Sequence, residues 1–105
     1  MNRVIILDVC IKELKKFPIE IQGDVVDIVS RINRGELLQM PLSRPMPSIG
    51  LKVHELRLKD KTGQFRFFYW IKVGDAIYFV HAFQKKTQEL PRKEIDIVIK
   101  RVKEL

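Results

Sequence analysis

Residues 53–85 read VHELRLKDKTGQFRFFYWIKVGDAIYFVHAFQK. β-Branched and aromatic residues dominate this stretch. Two turn signals, Asp60-Lys61-Thr62-Gly63 and Gly74-Asp75, divide it into strands over about 53–59, 64–73 and 76–84. Side chains along a strand point to alternate faces. With even loops, opposed positions sum to 123 across the first hairpin and to 149 across the second. One face then carries His54, Leu56, Leu58, Phe65, Phe67, Tyr69, Ile71, Val73, Ala76, Tyr78, Val80 and Ala82, and its apolar character makes it the core face. The other carries Glu55, Arg57, Lys59, Arg66, Phe68, Trp70, Lys72, Ile77, Phe79, His81, Phe83 and Lys85, basic and aromatic together. In this register Arg57 lies directly opposite Arg66. Like charges so placed cost about 0.2–1 kcal/mol, partly offset by the nearby Glu55, so stability alone gives no reason to keep them.

Outward from the strands, Arg3 to Leu7 reads as a short strand and Asp8 as a helix cap. A short helix through Ile11 and Leu14 ends at Phe17-Pro18. Pro18 opens a second helix, in which Ile21, Val25, Ile28 and Ile32 form one apolar stripe. Gly35 stops it, with Leu37 and Leu38 available for a further turn. Pro41, Pro45, Pro47 and Gly50 make 39–50 a loop, and Pro91 opens a last helix with a stripe of Ile95, Val98, Ile99 and Val102. The expected fold is α+β in the order β-α-α-β-β-β-α, a small antiparallel-rich sheet with helices packed on one face. Its 105 residues are expected to form a single domain, 1–105.

The net charge is +7, and it is uneven: residues 1–50 contribute +1 and residues 51–105 contribute +6. A polyanionic partner is therefore expected to meet the second half. Cys10 is the only cysteine, which precludes an intrachain disulfide or a site of paired cysteines, and it reads as a core residue. The apolar run Val4-Ile5-Ile6-Leu7 stops at Asp8, too short for a leader or a membrane span. The expectation is a cytoplasmic protein without membrane contact.

No metal motif, serine triad or glycine-rich phosphate loop is present, so neither metal nor cofactor is expected. Chemistry would have to run on Arg, Lys, His, Gln or Thr. That set suits RNA cleavage, because the 2′-hydroxyl supplies the nucleophile. The protein need only align the backbone, stabilise charge on phosphorus and move protons. Phe68, Trp70 and Phe83 read either as rings that stack on bases or as half-buried sheet residues. His81 reads either as a base or as a structural histidine facing Phe68, and His54 as a core or edge histidine on the opposite face.

Glu55-Leu56-Arg57, then Gln64-Phe65-Arg66-Phe67-Phe68-Tyr69, then His81-Ala82-Phe83-Gln84-Lys85-Lys86-Thr87-Gln88 with Pro91, resemble the phage-derived, HigB-like branch of the RelE/ParE toxin superfamily. The resemblance covers residues 53–104. It implies a RelE-like fold, metal-independent cleavage of mRNA in the ribosomal A site, and a helix-turn-helix antitoxin of HigA type as partner besides the ribosome and mRNA. It implies that Arg66 contacts the scissile phosphate, with Arg57, Lys85 and Lys86 as further active-site cations. His81 is the histidine candidate. Lys59, Gln84, Thr87, Phe68, Trp70 and Phe83 complete the expected RNA contacts. RelE has a tyrosine near the start of the last helix, where this chain has Leu90-Pro91-Arg92. Proton transfer then falls to His81, Gln84 or a lysine, or the rate comes from positioning alone. The alternatives are a non-nucleolytic toxin of the same fold, such as a gyrase inhibitor, and a non-toxic nucleic-acid-binding phage accessory protein.

Overall fold

A computed structural model describes residues 3–74 and 76–105. The elements run β1 (Val4–Ile6), α1 (Asp8–Leu14), α2 (Ile19–Asn33), β2 (Ser43–Pro45), β3 (Val53–Asp60), β4 (Gly63–Ile71), β5 (Ile77–Lys85) and α3 (Arg92–Lys103). The five strands form one sheet in the order β1-β5-β4-β3-β2, with only β1 and β5 parallel. The α+β class and the antiparallel-rich sheet follow the alternation and turn signals. Gly74 has φ +78, as a tight turn requires, while Asp75, the other half of that signal, lies outside the described residues.

The first hairpin keeps the expected register, with Arg57 opposite Arg66. Its turn is closed by Asp60, whose carboxylate accepts the Thr62 N–H at 2.8 Å and the Thr62 hydroxyl at 2.6 Å. The second hairpin departs from expectation. Phe68 pairs with His81 but Tyr69 pairs with Phe79, so Val80 is an extra residue in β5. On the N-terminal side of this bulge the faces of β5 exchange. Ile77 and Phe79, expected on the basic face, join the core with Phe65, Phe67 and Tyr69. Tyr78 and Val80, expected in that core, join Val53, Phe68 and Trp70 on the opposite side.

The apolar clusters on the two faces mark where the helices go. The α2 stripe of Ile21, Val25, Ile28 and Ile32 packs with Cys10 on the face of Phe65, Phe67 and Tyr69, as its spacing requires. The helix stops at Gly35, which takes φ +91. Leu37 and Leu38 add no turn: Leu38 drops onto the core and Leu37 stays exposed. The expectation that all helices share one face fails for α3. Its Val98 and Val102 pack with Phe68 and Val80 on the other face, where Val53, Trp70 and Tyr78 extend the apolar patch. Asp8 does not cap α1. Leu7 holds that position and Asp8 begins the first turn, where a negative charge is favourable. The proline-rich segment also contains β2, an edge strand that tolerates Pro45, tied down by the buried Ser43–Tyr69 hydroxyl pair at 2.6 Å.

A polar clasp joins α1, β5 and α3. The Glu13 carboxylate accepts the Ala82 N–H at 3.1 Å and the Arg101 guanidinium at 3.0 Å, and lies 3.0 Å from His81 Nδ1. His81 Nε2 lies 2.8 Å from Glu94, and Arg101 donates to the Val80 carbonyl at 2.9 Å. Burial alone would raise the Glu13 carboxyl, but the hydrogen bonds from His81 and Arg101 outweigh it and hold it below the usual carboxylate range. A depressed folded pKa contributes stability above the unfolded value of 4.5, and that stability is lost as pH falls through the folded value. Glu13→Gln should therefore destabilise the fold at pH 7 and flatten the acid limb of stability against pH. Urea denaturation between pH 7 and pH 3 reads both; an unchanged acid limb would show that the clasp carries no such linkage.

Candidate nucleic-acid interface

Helix α3 packs on the part of its face around the bulge, against Val53, Phe68 and Val80. The hairpin half keeps the expected alternation, and its rows follow from the register. Lys59, Gln64 and Lys85 form one row, and Arg57, Arg66 and Phe83 the next. Arg44, Glu55, Phe68 and His81 form a third. The open rows border a groove of about 440 Å³ lined by Pro41, Leu42, Arg57, Leu58, Lys59, Gln64 and Arg66.

Arg66 is the most constrained cation in the groove, at 4% exposure. One terminal nitrogen donates to Gln64 Oε1 at 2.6 Å and the other to the Phe65 carbonyl at 3.4 Å. Its Nε lies 3.3 Å from Glu55 Oε2, within ion-pair range. The geometry is too poor for a hydrogen bond, and this Nε is the one buried side-chain polar atom without a partner among the described residues. Burial lowers the Arg66 pKa and Arg57 adds to that, while Glu55 opposes both. A guanidinium stays charged through such a shift, so what remains is a dehydrated cation at the groove wall. Arg57 is more open, at 35% exposure, with its Nε 3.8 Å from Glu55 Oε1.

The expected site residues divide. Arg57, Lys59 and Arg66 line the groove, and Lys85 shares their face at the hairpin end. Lys86 and Thr87 follow β5 on exposed chain, where the Thr87 hydroxyl donates to the Glu89 carbonyl at 2.7 Å. The others lie elsewhere. His81 is 2% exposed and held in the clasp, which removes it from the groove. Phe68 is fully buried and cannot stack on a base, while Trp70 and Phe83 are partly buried and pack against its cluster under α3. Gln84 pairs with the core residue Phe65, shares its face, and donates to the Thr62 carbonyl at 3.0 Å. It also crowds Gly63, where a Cβ would stand 2.7 Å from Gln84 Nε2 and φ is +146. His54 stacks on Tyr69 at 5.1 Å on the core side, as expected, and burial with the Lys52 charge pushes its pKa down. Cys10 is a core residue with its thiol pushed up to about 12, mainly by burial.

Two site residues were missed. Glu55 was seen only as an offset to the arginine pair, although its parity already placed it on their face. Arg44 needs β2 to reach that face, and no periodic signal marks a three-residue strand among prolines. Among the described residues no group of three His, Cys, Asp or Glu could hold a metal ion, and no helix is long and apolar enough to cross a membrane.

Fold and groove together define a small α+β protein with an open, arginine-lined groove on one sheet face. A family model described as "Phage derived protein Gp49-like (DUF891)" matches residues 12–103, and the chain belongs to that family. The family is toxin-like and related to the RelE/ParE superfamily. No curated protein matches the chain.

Packing and groove residues should separate in stability measurements. Phe68→Ala should cost about 3–5 kcal/mol through the cavity it leaves. Arg57→Ala should change stability by no more than about 0.5 kcal/mol, since a half-exposed like-charge neighbour is lost. Urea midpoints of the two variants decide; a large loss for Arg57→Ala would make it a structural residue.

Proposed function

We propose that this protein is the toxin of a toxin–antitoxin pair, a metal-independent endoribonuclease that cleaves mRNA in the ribosomal A site and so inhibits translation. The observation that carries this reading is the Arg57–Arg66 pair, with a nearly buried guanidinium whose Nε lacks a hydrogen-bond partner at the wall of an open groove. Such a pair is unfavourable for the sheet alone and favourable once a phosphodiester lies across it. The HigB-like motifs support the mRNA substrate, and the same resemblance supports a helix-turn-helix, HigA-like antitoxin as partner.

The chemistry follows from the groove. The 2′-hydroxyl attacks phosphorus and the bond to the 5′-oxygen breaks, leaving a 2′,3′-cyclic phosphate and a free 5′-hydroxyl. Arg66 and Arg57 stabilise the charge that builds on the non-bridging oxygens. Lys59, Lys85 and Lys86 hold the flanking phosphates, and a lysine ammonium donates the proton the 5′-oxygen needs. The 2′-hydroxyl proton passes to solvent. His81 takes no part in this account because the clasp holds it. Catalysis resting on positioning and charge fits an enzyme that uses the ribosome to align its substrate.

The same withdrawal of His81 favours a second reading, a toxin of this fold that binds without cleaving, such as a gyrase inhibitor. Programmed ribosomes with end-mapped mRNA separate the two. The first reading predicts ribosome-dependent cuts with cyclic phosphate ends, reduced about 10²–10³-fold by Arg66→Ala in a folded protein. Intact mRNA with a folded, toxic wild-type protein would move the assignment to the second.

A further inference from the structure

The groove holds two opposed guanidiniums, and something must keep them from moving apart. Arg57 and Arg66 are directly paired across β3 and β4, and their repulsion favours rotamers that separate them. Glu55 stands two residues before Arg57 on the same face of β3 and is only 5% exposed. Its neighbours across the strands are Arg44 on β2 and, on β4, the fully buried Phe68. One carboxylate oxygen lies 3.3 Å from Arg66 Nε and the other 3.8 Å from Arg57 Nε. Glu55 therefore divides itself between the two cations, each approached at the inner nitrogen of its guanidinium. The terminal nitrogens of Arg57 have no partner among the described residues. Arg57, Arg66 and the Glu55 carboxylate leave a single positive charge at this point, before Arg44 across from Glu55, Lys59 and Lys85 are counted.

We infer that Glu55 is the positioning residue of the groove, its carboxylate binding the guanidiniums of Arg57 and Arg66 into one anion site. It acts through the arginines and does not itself touch the phosphate. The inference deepens the proposed function and rests on it for the identity of the natural anion. A purely electrostatic role and a positioning role differ in sign. Removing the Glu55 charge makes the groove more positive, so anion binding should hold or tighten. Removing the tether frees the arginines from each other, so chemistry that needs both in register should slow.

The test uses the full chain and inorganic phosphate, followed through the arginine Nε–H resonances, alongside single-turnover cleavage on programmed ribosomes. In the wild type, Arg57 and Arg66 should shift along one saturation curve, and the Arg57 Nε–H should already be motionally restricted without phosphate. In Glu55→Gln the two resonances should follow separate curves, with phosphate bound at least as tightly as in the wild type. Cleavage by that variant should fall about 10²-fold, the scale of a lost alignment, without a rise in KM. Glu55→Asp should recover part of the rate. A shared curve that survives in Glu55→Gln, or wild-type cleavage by that variant, would overturn the inference. Should Glu55→Gln not fold, a freely mobile Arg57 side chain in the wild type overturns it equally. If the wild type cuts no RNA yet shows a shared phosphate curve that Glu55→Gln splits, the cleavage reading fails and the role of Glu55 stands.

Discussion

A single extra residue in β5 decides which side chains of that strand enter each of the two cores. Because side chains alternate with a period of two, inserting Val80 exchanges the faces of the strand on the N-terminal side of it. Phe79 then stacks on Tyr69 within the α2 core, at 5.3 Å between ring centres. Tyr78 and Val80 turn to the opposite side, where they complete an apolar patch with Val53, Phe68 and Trp70. A patch of that kind must be covered, and α3 covers it. The bulge also leaves its residue outside the ladder, and the Val80 carbonyl finds its partner in Arg101 of α3.

From this constraint the face acquires two halves with different work. Around the bulge the residues are mostly apolar, packed with α3 and held by the clasp of Glu13, His81, Glu94 and Arg101. Toward the first hairpin the alternation is undisturbed, and Arg57, Lys59, Gln64 and Arg66 border an open groove. The clasp holds α3 against β5, and the groove stays open. Most of the aromatic residues that look interleaved with the cations along the strands are drawn into the cluster under α3, with Phe83 beside Arg66 at its margin. The aromatics hold the helix, while the cations keep the groove.

How much of this was legible follows from which interactions are local. The first hairpin was readable because its two-residue turn and strict alternation fix the register, and with it the opposed arginines. The α2 stripe was readable because Ile21, Val25, Ile28 and Ile32 recur at helical spacing. The bulge was not, since nothing in Phe79-Val80-His81 breaks the hydrophobic pattern; only packing against α3 distinguishes the two registers. His81 was ambiguous for the same reason. Its partner Glu13 lies 68 residues away in sequence and Arg101 belongs to the last helix, so its burial depends on contacts no local pattern encodes. Arg44 stayed hidden because β2 borrows its extended shape from β3 rather than from its own residues.

The central claim is that a polyanion meets the cationic half of this face and leaves the aromatic half untouched. Its most direct test is a backbone and side-chain chemical-shift map of the protein bound to a short single-stranded RNA made uncleavable by 2′-O-methylation. The account predicts perturbations concentrated on Arg57, Lys59, Gln64, Arg66 and Lys85, with Trp70, His81 and α3 unchanged. Shifts centred on Trp70, His81 and α3, with the arginine pair silent, would contradict it.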